Sequence, residues 1–215
     1  MGAISVTTSL IPRVKESFSI VRPGGVKAIV MTDQNTLNGT YHDPKTKVIH
    51  KNDRAANANP GSLPIEFVNR FDGGKINAYV TGLDSDNKVV FVTANGTLVY
   101  PSSGDSDIPV QIVEDIAIPL PAQGNTFKMT LPITIFSGRV YFAEGDLRFF
   151  MVRVPNGDGL VQPSITNPQD PSSAINWGFV ELTYTEELAI WANISYVDFV
   201  GLILSMGLTV KNGGT

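Results

Sequence analysis

Two carboxylates interrupt an aromatic and apolar stretch near the end of the sequence. They are Glu181 and Asp198, within WGFVELTYTEELAIWANISYVDFVGL at residues 177–202. An ionised carboxylate in such surroundings loses hydration, which costs free energy unless the group is paired or hydrogen-bonded. If the strands that carry them face one groove, the two acids could flank a glycosidic bond as general acid and general base.

The alternation of side chains along a strand indicates what surrounds each acid. Trp177, Phe179, Glu181 and Thr183 share one side of the first strand, and the opposite side, Gly178 to Tyr184, is predicted to face the core. Aromatic neighbours disfavour the ionised carboxylate, which is the condition that a general acid needs. On the second strand Asp198 shares a side with Ile194, Tyr196 and Val200, and a tyrosine beside a carboxylate suits a sugar-binding surface.

A non-catalytic interpretation explains the same pattern. An acid in a strand commonly faces solvent at an edge or pairs with a basic side chain, and Arg139, Arg148 and Arg153 are available partners. Several other acids have similar surroundings: Glu66, Glu114, Asp115, Glu144 and Asp146. Trp177 and Trp191 are by default aromatic residues of a core or its rim. The residue pattern alone leaves both interpretations open.

The elements that must position these acids are predicted to be short strands. The chain has 215 residues, 42% of them hydrophobic and 17% charged, with 20 glycines and 14 prolines, enough for one domain with a full core. Asn95-Gly96 predicts a hairpin turn, and Glu144-Gly145-Asp146 predicts a second. The regular spacing of strands and turns indicates a β-sandwich or barrel. The predicted strands are Leu63–Val68, Ile76–Thr81, Lys88–Thr93, Val110–Leu120, Phe127–Ile135, Arg139–Ala143, Leu147–Val154 and Trp177–Thr183.

Other segments are predicted from composition. Residues 1–60 have the pattern of a peripheral extension, with a short strand at Val26–Met31 and a surface loop at His42–Pro60. Residues 155–176, which include four prolines, predict a long polar loop. Glu186–Trp191 suggests a short helical turn. Ala192–Leu204 is either a strand pair bent at Gly201 or a buried helix, and its β-branched and aromatic residues favour strand.

Composition excludes several kinds of chemistry. There is no cysteine and there are only two histidines, so disulfides, thiolate metal sites and a cysteine nucleophile are excluded and a histidine-rich metal site is unsupported. The net charge is −4 with scattered lysines and arginines, which argues against nucleic-acid binding. No apolar run approaches the ~18 residues that indicate a membrane span. Phosphate-loop, HExxH and GxSxG motifs are absent, so phosphoryl transfer, zinc hydrolysis and serine hydrolysis all lack support.

Several motifs, in order, resemble one family. From Leu63 to Val210 the chain is similar to glycoside hydrolase family 64, β-1,3-glucanases of thaumatin-like architecture, and most of all to fungal members. The motifs that carry this resemblance are LPIEFVNRF, INAYVTGLDSDNKVVFV, SGRVYFAEGDLRFF, LVQPSITNPQDP, NWGFVELTY and NISYVDFVGL.

The resemblance implies a fold and a reaction. The fold would be mainly β, a thaumatin-like sandwich or barrel whose smaller mixed α/β part is largely missing, with residues 1–60 as an extension and 61–215 as the family domain. The reaction would be endo-acting, inverting hydrolysis of laminarin-type β-1,3-glucan by a cofactor-free monomer. The glutamate of the W-x-x-x-E strand falls on Glu181 as the general acid, and the aspartate of V-D-x-x-G-L falls on Asp198 as the general base. An inverting pair stands ~6.5–9.5 Å apart. The further sugar contacts expected are Thr183, Asn193, Tyr196 and Trp177.

The sequence also departs from the family pattern. Family domains continue well beyond this length, and Ile203 follows the Gly-Leu of VDFVGL where proline is common. A non-catalytic β-glucan-binding or cell-wall-binding domain of the same fold, inactive through truncation, is therefore the alternative. A structural β-sandwich with unrelated ligands is a third hypothesis. The family suggests an extracellular location, whereas the first residues lack the pattern of a signal peptide, so the compartment stays open.

Overall fold

The described part of the chain is built from β-strands. The computed structural model describes residues 2–9, 36–38, 47–49 and 62–210, and these residues contain no helix, and hence none able to span a membrane. The mainly-β prediction is confirmed. The strands are β1 Gly2–Ser9, β2 Thr36–Asn38, β3 Lys47–Ile49, β4 Leu63–Asn69, β5 Ile76–Leu83, β6 Val89–Val92, β7 Leu98–Tyr100, β8 Val110–Gln111, β9 Ile118–Pro119, β10 Thr126–Leu131, β11 Ile135–Glu144, β12 Phe150–Val154, β13 Gly157–Val161, β14 Asn176–Tyr184, β15 Ile190–Ser195 and β16 Ile203–Val210.

Three sheets form three layers. The central sheet has the order β15-β14-β11-β5-β6-β7-β3, and β9 also pairs with β5. The sheet on one side, called here the β4 sheet, has the order β10-β4-β1-β16, and the sheet on the other, the β12 sheet, has the order β2-β13-β12-β8. Phe142 of β11 meets Phe67 of the β4 sheet edge-on, with ring centroids 5.3 Å apart. Its neighbour Tyr141 belongs to a second apolar cluster, which contains Met151 and Leu160 of the β12 sheet.

Burial on both faces explains why the central strands are so apolar. Alternate side chains of β14 enter different cores: Val180 and Leu182 join the cluster beneath the β4 sheet, while Trp177 and Phe179 join the cluster beneath the β12 sheet. The predicted core face of β14 is therefore confirmed, but the opposite face is also covered at its first half. Glu181 lies on that opposite face, further along the same strand.

Local signals predicted several strands and one turn correctly. The strands β4, β5, β6 and β14 lie where they were expected, and β6 pairs with β7 across Asn95-Gly96, where Gly96 has a φ of 82°. The prediction of one strand at Val110–Leu120 is wrong, because this segment contains only the two short strands β8 and β9, which pair in different sheets. The predicted strands Phe127–Ile135 and Arg139–Ala143 correspond to β10 and to a longer β11.

The predicted hairpin at Glu144-Gly145-Asp146 is wrong. Gly145 does make a sharp turn, with a φ of 110°, but β11 pairs with β14 and β5 rather than with the following strand. The turn instead carries the chain from the central sheet into the β12 sheet. The predicted long loop is also shorter than expected, because β13 forms a hairpin with β12 across Pro155-Asn156. Only residues 162–175 are irregular.

The segment after β14 is strand and turn. The helical turn predicted at Glu186–Trp191 is wrong: the amide of Leu188 donates to the carbonyl of Thr185 at 3.0 Å, in a turn that joins β14 to β15. Of the alternatives for Ala192–Leu204, strand is correct, although β15 and the later strand β16 belong to different sheets. The turn that precedes β16 contains Gly201.

The first 60 residues contribute strands to all three sheets. The strand β1 lies between β4 and β16, parallel to β4, while β2 pairs with β13 and β3 pairs with β7. The predicted surface loop His42–Pro60 thus includes β3, an edge strand of the central sheet. The predicted strand Val26–Met31 lies outside the described residues.

Candidate active site

A row of polar side chains crosses three neighbouring strands of the central sheet. Arg139 of β11 lies directly opposite Glu181 of β14, and Glu181 lies directly opposite Asn193 of β15. Residues opposite one another in paired strands share a face, so these side chains meet. The register between strands, rather than the spacing along any one of them, creates this polar row.

Glu181 is half exposed and both of its oxygens have partners. Oε1 accepts from Nη2 of Arg139 at 3.5 Å, and Oε2 accepts from Nδ2 of Asn193 at 3.0 Å. The side chain of Glu181 is 40% exposed and that of Arg139 is 25% exposed. The expected aromatic surroundings are thus incomplete, since a guanidinium and an amide approach the carboxylate. The pairing with an arginine that the non-catalytic interpretation predicted is present, although 3.5 Å is long for a charge-assisted hydrogen bond.

Two of the expected sugar contacts share the face of Glu181. Asn193 bonds to Glu181 directly, and Thr183 follows Glu181 by two residues on the same side of β14. Thr183 lies opposite Trp191, whose side chain is 61% exposed. Trp191 was not among the predicted site residues. The signal that could have found it is its position two residues before Asn193, which places both side chains on one face of β15.

The other two expected contacts bond or pack within the protein, although Tyr196 is 37% exposed. Trp177 is 3% exposed, and its ring lies 4.4 Å from that of Phe199 and 6.0 Å from that of Phe179, so neither ring face is open to a sugar in this arrangement. The hydroxyl of Tyr196 accepts the amide of Leu204 at 2.6 Å and lies 3.3 Å from the carbonyl of Leu202. Tyr196 therefore fastens the beginning of β16 to the end of β15.

Asp198 lies in an irregular segment rather than in a strand. Strand β15 ends at Ser195, and the exposed Asp198 stands among residues 196–202, which lead to β16. The prediction that Asp198 shares a strand face with Ile194 is therefore wrong. Ile194 packs against the core beneath the β4 sheet. Instead, the neighbouring Phe199 packs on Trp177, whose side chain is on the same side of β14 as Glu181. This contact draws the segment of Asp198 toward the face that carries Glu181.

Two other acids, both buried, have hydrogen-bond partners within the protein. Asp158 accepts from the backbone amide of Ser103 at 3.2 Å and from the hydroxyl of Ser102 at 3.0 Å. Asp170 accepts the amide of Ser172 at 2.7 Å, and burial raises the pKa of its carboxyl. Within the described ranges, no three acidic, histidine or cysteine side chains converge as metal ligands. The polar row around Glu181 is therefore the more promising site.

The fold is layered β-structure, and one face of its central sheet carries the carboxylate of Glu181. Comparison with known families identifies the class of protein to which the chain belongs. The chain belongs to glycoside hydrolase family 64, whose family model, described as β-1,3-glucanase, matches residues 61–215. The resemblance inferred from the sequence motifs is thereby confirmed.

Individual relatives agree with the family. A glucan endo-1,3-β-glucosidase from Cellulosimicrobium cellulans and another from an Arthrobacter species (strain YCWD3) are each 30% identical over 171 residues. Among solved structures, a laminaripentaose-producing β-1,3-glucanase in complex with laminaritetraose is 26% identical, with a TM-score of 0.54 over 62% of this chain. This chain spans 30% of each of those two glucosidases and 35% of the solved chain.

Proposed function

We propose that this chain hydrolyses β-1,3-glucan of the laminarin type, with Glu181 at the reacting bond. The observation that carries the proposal is the position of Glu181: a half-exposed carboxylate in a polar row, within the segment that matches the β-1,3-glucanase family model. Thr183, Asn193 and the exposed ring of Trp191 surround it with hydroxyl, amide and aromatic groups. An exposed indole ring can pack against the apolar face of a sugar.

The proposed reaction inverts the anomeric centre. Protonated Glu181 gives its proton to the oxygen that leaves, while Asp198 takes a proton from the water that attacks the opposite side of the sugar ring. The exposure of Asp198 suits this role, because its carboxylate is open to water. The three-layered β-structure would be the β part of a thaumatin-like architecture, and residues 61–215 would be its family domain.

A specific observation favours a second candidate, a domain that binds β-1,3-glucan without cleaving it. Glu181 is paired with Arg139, as a carboxylate with a structural rather than a catalytic role would be. A binding surface would need Trp191, Thr183 and Asn193 but no proton transfer.

Proton NMR of laminarin incubated with the purified chain separates the two candidates. We expect new reducing ends whose α-anomer appears first, because inversion of a β-linkage gives the α-product. A β-anomer that appears first would contradict the inverting mechanism. No new reducing ends, with the chain retained on insoluble β-1,3-glucan, would support the binding domain. Neither release nor retention would contradict both.

Asp198→Asn is expected to lower kcat on laminarin by a factor of about 10²–10⁴, the usual contribution of a general acid or base. The amide cannot accept the proton of the attacking water. Asp115→Asn is the matched control, because Asp115 is also exposed in an irregular segment but is distant in sequence from the candidate site. Equal rates for wild type and Asp198→Asn would rule out Asp198 as the base.

A further inference from the structure

The carboxylate of Glu181 is the end of a chain of hydrogen bonds that begins in the protein interior. Oε1 of Gln162 accepts both from Nη1 of Arg139, at 2.7 Å, and from the hydroxyl of Tyr141. The other terminal nitrogen of Arg139, Nη2, then reaches Oε1 of Glu181. Building on the function proposed above, we propose that Arg139 is a positioning residue for Glu181 and that Gln162 and Tyr141 fix Arg139 for this task.

Gln162 links two layers of the fold at this point. It directly follows β13 of the β12 sheet, whereas Arg139 and Tyr141 are alternate residues of β11 in the central sheet. Gln162 is 5% exposed and Tyr141 is fully buried. A buried amide and hydroxyl are costly unless they are satisfied, so this arrangement resists loosening.

The planar guanidinium of Arg139 contacts an aromatic ring with its face, in addition to the hydrogen bonds that its nitrogens make. Its guanidinium carbon lies 4.5 Å from the centroid of the Phe179 ring, a cation–π contact. The stack on Phe179 and the bond to Gln162 together restrict rotation of the planar group. The remaining nitrogen is therefore aimed at Glu181, while Asn193 holds the second oxygen of that carboxylate from β15.

This arrangement gives Arg139 a defined part in proton transfer. When Glu181 has released its proton to the leaving oxygen, the carboxylate that forms already faces a fixed positive charge. Among the described residues that bond to the Glu181 carboxylate, Arg139 is charged and Asn193 is neutral. Tyr141 stays neutral as well, since burial raises its pKa to about 12. Arg139 thus supplies positive charge next to the carboxylate that proton transfer leaves behind.

Substitution of Arg139 tests the proposal through its separate effects on kcat and KM. For Arg139→Met we expect kcat to fall about tenfold with a smaller change in KM, by analogy with the loss of groups that orient catalytic ligands. The loss should be larger for laminarin than for an aryl glucoside with a dinitrophenyl leaving group, because the aryl substrate needs little help from the acid that Arg139 positions. Arg139→Lys should recover part of the lost kcat, because it retains the charge.

Gln162→Leu tests separately whether Gln162 holds Arg139 in position. It should also lower kcat about tenfold, because Arg139 loses the bond that fixes it. Arg148→Met is the control, since Arg148 is an exposed arginine just after β11 and is not part of this hydrogen-bond chain. It should behave as wild type in both kcat and KM.

A carbon-13 NMR spectrum of the Glu181 carboxyl, identified by its loss in Glu181→Gln, gives the same answer without turnover. At one fixed pH its chemical shift should change in Arg139→Met and not in Arg148→Met. An unchanged chemical shift in Arg139→Met would overturn the positioning proposal, even if hydrolysis is demonstrated. A changed chemical shift in a chain that cleaves no glucan would keep the contact and overturn the proposed function instead.

Discussion

Glu181→Gln is expected to lower kcat on laminarin by a factor of about 10²–10⁴, the usual contribution of a positioned general acid. Glutamine has nearly the same shape, and its carbonyl oxygen can still accept from Arg139. It has no acidic proton to give to the leaving sugar oxygen. The fold should therefore persist while bond cleavage is lost, and steady-state kinetics beside a thermal unfolding curve measure both.

The chemistry of the leaving group makes this prediction specific. An aryl β-1,3-glucoside with a dinitrophenyl leaving group needs little help from an acid, so Glu181→Gln should slow its hydrolysis far less than that of laminarin. Glu186→Gln is the matched control, because Glu186 is an exposed glutamate in the turn that follows β14. An equal loss on both substrates would mean that Glu181 does not act as the acid.

Gly201→Ala is expected to destabilise the protein by about 3 kcal/mol, the upper part of the usual range for inserting an atom into a packed site. A β-carbon at Gly201 would lie 2.0 Å from the backbone oxygen of Trp177 and 3.0 Å from its carbonyl carbon. Neither atom can move freely, because Trp177 is part of β14 and pairs with Ala143 of β11. The turn before β16 would have to shift, and Asp198 lies in the same irregular segment.

Thermal unfolding measures this effect. For a chain of this size we expect the Tm to fall by roughly 6–12 °C, at about 2–4 °C per kcal/mol. Gly207→Ala is the control, because a β-carbon at Gly207 in β16 would have no atom within 4 Å. If the two variants unfold at the same temperature, the close approach of Gly201 to Trp177 is not important for stability.

The face of Glu181 could be predicted from the sequence because it depends on one strand. The alternation in β14 puts Glu181 and Thr183 on the side away from Leu182, and the structure has them there. The hairpin at Asn95-Gly96 could be predicted for a similar reason, since the turn is determined by adjacent residues.

The contacts between strands distant in sequence could not be predicted in this way. Arg139 and Glu181 meet because β11 and β14 pair in one particular register, and no local pattern encodes that register. Trp177 was one of the sugar contacts that the family resemblance implied, and alternation could not reveal that a third layer covers the second face of β14. Asp198 was placed on a strand because its neighbours are β-branched and aromatic, although β15 ends at Ser195.

The most direct test of glucan hydrolysis by Glu181 is the release of reducing sugar from laminarin by the purified 215-residue chain. The same release is measured for Glu181→Gln from a matched preparation. We predict steady release by the wild-type chain and a rate at least about a hundredfold lower for Glu181→Gln. Equal release by both would contradict the role of Glu181. No release by a folded wild-type chain would contradict the hydrolytic function itself.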